Sequence, residues 1–376
     1  MSKSTKSDRP DGLQTIADRE RSLLALYAMH SADSLGRKYP EDEHPYRGPF
    51  QRDRDRIVHS AAYRRLSGKM QVFTGDMGDY HRTRLTHTYE VASIARTIAR
   101  ALRLNEDLVE ALALFHDIGH PPFGHAGEDA LNECLADEGG FSHNRHALVI
   151  AEELETPYIG FPGLNLSHEV LEGQRKRIDK SNGERRLLEV QLVDAADSIT
   201  YNAHDTDDAV KLELVTLDEL ATNALVHRCM ERVRERFGTS LDDEMLRKAV
   251  VHELIDCQVS NLLDHCGAAL ANLQNQSDVG QSDFVIGLGR EMAEQAKELG
   301  SFLYDRVYRH EKLVEVREEA QRRLHLMFSG YVAKPQLLPQ KQTERIETVG
   351  IARAVVEYLA GMTDRYCEEQ YHCHFV

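Results

Sequence analysis

Apolar residues in this chain recur with the 3.6-residue period of a helix, and the alternation of half-buried strands is scarce. Across residues 87–102 the stripe is Val91, Ile94, Ala95, Ile98 and Leu102, one face that needs a neighbour to cover it. Residues 106–115 repeat the pattern with Leu108, Ala111, Leu112 and Phe115. Pro121, Pro122 and Gly124 then stop that helix, which leaves His116 and Asp117 at its C-terminal end. Successive stripes of this kind constrain the chain to an all-α fold in which helices bury one another.

The same reading expects helices at 147–154, 187–210, 217–237, 243–274, 283–299, 304–328 and 343–366. Loops are expected at 160–165 and 173–183, with turns at Gly238, Gly280, Gly300 and residues 335–339. The polar start of the chain suggests a partly disordered lead-in over 1–30. A catalytic core over 31–215 and a further helical region over 216–376, packed on that core, complete the expected organisation.

Composition narrows the class. Of 376 residues, 41% are hydrophobic and 29% charged, ordinary values for a globular protein with a sizeable core. No stretch approaches the roughly 18–20 unbroken apolar residues of a membrane helix, and no secretory apolar run is seen. The six cysteines are scattered without a CxxC pair, which fits the reducing cytoplasm better than a disulfide framework. A net charge of −16 argues against broad coating of nucleic acid, though it leaves a local contact with nucleic acid open. Basic residues are instead gathered between Arg47 and Arg84, where Arg52, Arg54, Arg56, Arg64, Arg65, Lys69, Arg82 and Arg84 can serve a small anionic substrate or pair with acids.

The densest chemistry lies between Phe115 and Glu128. Three histidines (His116, His120, His125) and two carboxylates (Asp117, Glu128) fall within 13 residues. Neutral imidazole and carboxylate suit a borderline or hard divalent ion. His87 precedes this run by 29 residues on an amphipathic helix. Asp197 sits on an otherwise apolar helix, where a carboxylate needs a cation or a hydrogen-bond donor. Asp194 shares its face three residues earlier, so spacing alone leaves the choice between them open.

His87, His116-Asp117 and Asp197 resemble the H…HD…D pattern of the HD superfamily. Further motifs resemble its dGTPase-like, dNTP triphosphohydrolase branch: residues 52–60, Tyr63-Arg64-Arg65-Leu66, residues 69–73, Arg82-Thr83-Arg84-Leu85-Thr86-His87, the His116–Glu128 run, and residues 361–366. The resemblance implies an HD-domain helical bundle with additional C-terminal helices, one divalent metal ion (manganese, magnesium or another first-row metal) and a homo-oligomer. It also implies hydrolysis of dGTP or several dNTPs to deoxynucleoside and tripolyphosphate, with dNTP effectors or assembly state tuning the activity.

Carried over by residue, the resemblance assigns the metal to His87, His116, Asp117 and Asp197. It prefers Asp197 to Asp194 because Asp197, Tyr201 and Asp205 follow an Asp-x-x-x-Tyr-x-x-x-Asp pattern along one helix face. It makes His125 the catalytic histidine and Glu128 its carboxylate partner. Arg84, three residues before His87, shares a helix face with that ligand and can reach phosphate oxygens. His120 and His143 would line the pocket, Gln71 and Asp205 would hold the sugar 3′-hydroxyl, Val72 would exclude a 2′-hydroxyl, and Tyr308 would stack under the sugar. Two departures stand out: Arg145-His146 after His143, and Ser198 where some relatives carry Lys. The competing readings are an HD phosphohydrolase for another nucleotide and a non-catalytic nucleotide sensor.

Overall fold

The computed structural model describes residues 14–71, 82–178, 186–238, 240–271, 273, 275, 278–279 and 286–376. Among these residues the regular structure is helical, with only two isolated β-bridges, Arg37 to Ser167 and Met70 to Thr83. None of these helices is long and apolar enough to cross a membrane. Val72 lies outside the described residues, so its expected place in the sugar pocket has no structural counterpart here.

Helix α1 (Ile16–Leu23) falls within the expected lead-in and is N-capped by Thr15. The region that carries the expected site residues is built from α2 (Pro49–His59), α3 (Ala61–Arg65), α4 (Arg84–Ala101), α5 (Glu106–Phe115), α6 (Gly124–Cys134), α7 (His143–Val149), α8 (His168–Ile178) and α9 (Leu188–Lys211). α5 is the centre. Leu108, Val109, Ala111, Leu112, Ala113, Leu114 and Phe115 are all buried, so it is apolar nearly all round and has α2, α4, α8 and α9 against it. Asn105 caps its N-terminus by accepting from Leu108 N, and Glu106 and Asp107 in its first turn complement the helix dipole. α4 begins with a reciprocal capping box between Thr83 and Thr86, which fixes where Arg84 and His87 enter the core.

Several expectations are corrected here. Gly300 is not a turn but lies inside the helix Arg290–Leu303, and the single helix expected over 343–366 is three, Gln340–Val349, Ile351–Ala360 and Asp364–Phe375, divided at Gly350 and at 361–363. The loop expected from residue 173 is helical as far as Ile178, because α8 runs on through Gly173. A Cβ at that position would lie 2.7 Å from Leu112 Cδ2, so the glycine allows α8 to close on α5 rather than ending a helix.

The remaining helices are α10 (Leu217–Leu220), α11 (Ala224–Phe237), α12 (Asp243–Leu270), α13 (Arg290–Leu303), α14 (Glu311–Ala333), α15 (Gln340–Val349), α16 (Ile351–Ala360) and α17 (Asp364–Phe375). α11, α12 and α13 share a second apolar core with the end of α9. α14, α16 and α17 share a third with α6, in which Leu324, Met327, Tyr331, Val355 and Leu359 are fully buried. The C-terminal helices therefore pack directly on the helix that follows the histidine-rich run.

Candidate metal and active site

Three elements converge. His87 comes from the first turn of α4, His116 and Asp117 from the turn that ends α5, and Asp197 from the middle of α9. One ligand atom from each of His87, His116 and Asp117 lies within 4.8 Å of the others, close enough to share an ion. Asp197 Oδ1 lies 3.0 Å from His87 Nε2 and 3.6 Å from His116 Nε2. Asp194 is turned elsewhere: its carboxylate pairs with Arg177 and Arg186. Of the two candidates on α9, the structure therefore brings Asp197 to the histidines.

The donor set fits a cation. His116 Nδ1 lies 2.6 Å from the Ala113 carbonyl, which can only accept, so this nitrogen carries the proton and Nε2 keeps a lone pair. That Nε2 is buried and has no hydrogen-bond partner among the described residues. Its surroundings are the carboxylates of Asp117 and Asp197, so lone pairs converge on one point. Burial pushes the His116 imidazole below its ordinary pKa and keeps it neutral, as a ligand must be. Burial alone would raise the Asp197 carboxyl, but His116, His87 and Arg177 outweigh it and hold the group well below the usual carboxylate range. Asp117 is held down against burial in the same way by His116, His120 and Arg84.

Around this centre lies a ring of polar groups. Arg84 Nη1 donates to Asp117 Oδ2 at 2.9 Å, while its Nε is buried without a partner. His120 Nε2 is 3.1 Å from Asp117 Oδ1, and its ring stacks on His143 with centroids 3.8 Å apart. Gly119 permits that stack: a Cβ there would meet the His143 carbonyl oxygen at 2.0 Å, so only a bare backbone lets α7 come this close. His125 stands at the start of α6 with its side chain 58% exposed.

Glu128 does more than partner His125. Its carboxylate accepts from His143 N at 2.9 Å and meets His143 Nδ1 at 2.8 Å, whereas His125 Nδ1 is 3.6 Å away. Burial would raise this carboxyl, yet the facing imidazoles of His125 and His143 hold it far below its ordinary value.

The expected sugar-binding residues also meet. The hydroxyls of Tyr201 and Tyr308 are in hydrogen-bond contact, and Tyr308 donates to Asp205 Oδ2 at 2.6 Å. Asp205 Oδ1 and Gln71 Oε1 are both buried with no partner among the described residues. Burial raises the Asp205 carboxyl to about 7 against the pull of the two tyrosines. Orphaned polar atoms of this kind each cost about 1–3 kcal/mol unless a ligand meets them.

Some groups were not anticipated. His204, on α9, places Nδ1 3.2 Å from His87 Nδ1 and Nε2 2.6 Å from Glu90 Oε2. Burial pushes the His204 imidazole down to about 4 although Glu90 pulls the other way, so it is neutral at pH 7. The signal was in the spacing, since Glu90 is one turn beyond His87 and His204 two turns beyond Asp197. Lys69 is buried and donates to the carbonyls of His120 and Ala360 at 2.5 and 2.8 Å. Asp364 at the start of α17 accepts from Met70 N and from Phe123 N, each at 2.9 Å. The basic segment before α4 is mostly consumed in internal pairs. Arg56 holds Glu41 and the Leu164 and Asn165 carbonyls, Arg54 holds Asp55 and Glu110, and Arg82 holds Asp207 and Asp208. Arg84 is the member of that segment hydrogen-bonded to the histidine–aspartate centre.

Comparison with known proteins places the chain in a family. An HD domain model matches residues 84–202, and a phosphohydrolase-associated domain model matches residues 286–373. A deoxyguanosinetriphosphate triphosphohydrolase-like protein of Geobacter metallireducens is 41% identical over 94% of this chain and 95% of its own. The chain belongs to the deoxyguanosinetriphosphate triphosphohydrolase-like family. Members from Ralstonia pickettii and Caulobacter are 40% and 42% identical over 93% and 92% of this chain, and 93% and 95% of their own. A hypothetical protein of known structure from Aquifex aeolicus aligns over 77% of this chain and 79% of its own, with a TM-score of 0.32 and 18% identity. As an HD-domain family member, the chain is a nucleotide phosphohydrolase with His and Asp groups able to hold a metal.

Proposed function

We propose that the protein hydrolyses deoxynucleoside triphosphates to deoxynucleoside and tripolyphosphate, with His87, His116, Asp117 and Asp197 holding one divalent metal ion. The observation that carries this reading is the buried His116 Nε2, without a partner among the described residues and facing two carboxylates. Arg84 Nε, Gln71 Oε1 and Asp205 Oδ1 are likewise buried without a partner among the described residues, and a small, highly charged ligand with a sugar attached would answer them. The names of the relatives support a triphosphohydrolase.

When bound, the metal supplies Lewis-acid stabilisation of the charge that develops on the phosphate oxygens. The unpartnered Nε of Arg84 is available to a phosphate oxygen, and Arg84 keeps Asp117 oriented through its other arm. At the sugar end, Asp205 Oδ1 and Gln71 Oε1 would meet the 3′-hydroxyl, with Tyr308 and Tyr201 fixing the Asp205 carboxyl. Water adds to the α-phosphorus and the bond from that phosphorus to O5′ breaks. His125 delivers the proton that O5′ takes up, the surplus proton of the added water restores the His125 ring, and tripolyphosphate leaves with the water oxygen on its former α-phosphorus. Glu128, pinned by His143, keeps a negative charge one helical turn from His125 and stabilises its protonated ring. His120 and His143 form the pocket wall next to the phosphates. Homo-oligomer formation and tuning by non-substrate dNTPs belong to the same reading.

The test is to incubate the protein with each dNTP and Mn²⁺ or Mg²⁺ and to resolve the products by ion exchange. Deoxynucleoside plus tripolyphosphate is expected. Asp197→Ala should abolish turnover together with metal binding. His125→Ala should lower kcat by about 10²–10⁴-fold while still binding the metal. Release of orthophosphate or pyrophosphate instead would move the assignment to another HD phosphohydrolase. Thermal stabilisation by dNTPs without product would indicate a sensor.

A further inference from the structure

The metal set described above leaves one arrangement unused. On the side of His87 away from Asp197, His204 and Glu90 continue the line: His87 Nδ1 to His204 Nδ1 is 3.2 Å, and His204 Nε2 to Glu90 Oε2 is 2.6 Å. Both imidazole rings are buried, and the line ends on Glu90, whose side chain is 45% exposed and also meets Arg82 at 3.2 Å.

One hydrogen-bond polarity of this line connects its outer end to the metal set. A carboxylate only accepts, so His204 donates to Glu90 from Nε2. With a single N–H on each ring, His204 Nδ1 then accepts from His87 Nδ1, which leaves His87 Nε2 with a lone pair. That Nε2 stands 3.0 Å from Asp197 Oδ1, another acceptor, and a cation between them satisfies both. The polarity set at Glu90 thus ends as a ligand lone pair directed into the metal set.

We propose that Glu90 and His204 form a positioning relay that locks His87 as a metal ligand through Nε2. It replaces the single backbone carbonyl that does the same for His116. A direct carboxylate partner on a metal-bound imidazole is a common arrangement, and such outer partners typically change metal affinity by 10–100-fold. Here an interposed histidine extends the carboxylate's influence by one ring, which brings its controlling group out to a half-exposed position beside Arg82. This inference rests on the metal-site reading above.

The experiment titrates Mn²⁺ alone into the full chain by calorimetry and records the thermal midpoint of each metal-free variant. His204→Leu removes the acceptor for His87 Nδ1 and should weaken Mn²⁺ binding about 10–100-fold. His204→Asn places an amide oxygen near the lost Nδ1 and should recover most of that loss. Glu90→Ala, at the half-exposed end, should fold normally and weaken Mn²⁺ binding several-fold by releasing the His204 tautomer. If His204→Leu does not fold, the Asn and Glu90 variants carry the comparison. Wild-type affinity in Glu90→Ala, or equal loss in the Asn and Leu variants, overturns the relay. A merely structural role would lower the metal-free midpoint and leave Mn²⁺ affinity in place, which also overturns it. Wild type taking up no Mn²⁺, or Asp197→Ala binding as tightly as wild type, overturns the metal-site reading instead.

Discussion

Asp205 concentrates the cost of the sugar end of the site in one side chain. It is buried, one oxygen is unpartnered, and its carboxyl is raised to about 7. Between the ordinary carboxylate range and about pH 7 the folded protein holds a proton here that the unfolded chain has released. Stability from this residue therefore falls as pH rises through that window, and the penalty is complete above it. Asp205→Asn should be more stable than wild type at pH 8, by on the order of a few kcal/mol, with little gain at pH 4. Chemical denaturation at the two pH values checks this. The same variant should raise KM for dNTPs more than it lowers kcat, as measured by initial rates across substrate concentration. The histidines and aspartates of the centre were legible as a set because their residue types and order are unusual. The choice of Asp197 over Asp194 was not legible from spacing, because three residues along a helix point nearly the same way; it came from the Asp197-Tyr201-Asp205 pattern, and the structure separates the two by pairing Asp194 with Arg177 and Arg186 and Asp197 with the histidines.

At the level of elements, the apolar stripes on α4, α5 and α9 could be read directly, since each buries one face against the others. α8 could not: Gly173 and the polar, basic residues after it read as a loop, although Gln174, Arg175, Lys176 and Arg177 are good helix formers and the glycine serves close packing on Leu112 and Val190. α7 carries a prediction. The Gly119→Ala change puts a methyl group against the His143 carbonyl oxygen, so α7 must shift away from the α5–α6 turn. The expected result is a loss of about 1–3 kcal/mol with kcat reduced more than KM is raised, because the His120–His143 stack and the Glu128 contact move together. Denaturant midpoints and steady-state rates would show it. Equal activity in a destabilised variant would separate α7 from the chemistry.

Across the whole molecule, residues far apart in sequence meet at the wall of the pocket. Asp364 joins the Met70 amide to the Phe123 amide, and Lys69 joins the His120 carbonyl to the Ala360 carbonyl. These contacts explain why motifs near residues 69 and 364 accompany the histidine-rich run without touching the metal set. Sequence alone could mark them as distinctive but could not say that they brace a loop. Phe123 at the centre of this clamp has φ 60°, a left-handed conformation that the Asp364 contact helps to hold. Asp364→Ala leaves two backbone amides without acceptors and should cost about 2–4 kcal/mol, with turnover lost ahead of global unfolding in a urea series.

The clamp also ties together positions that are 241 residues apart in sequence, Phe123 and Asp364, so the turn carrying His120 is finished by a helix that belongs to the third apolar core and not to the elements that supply the metal set.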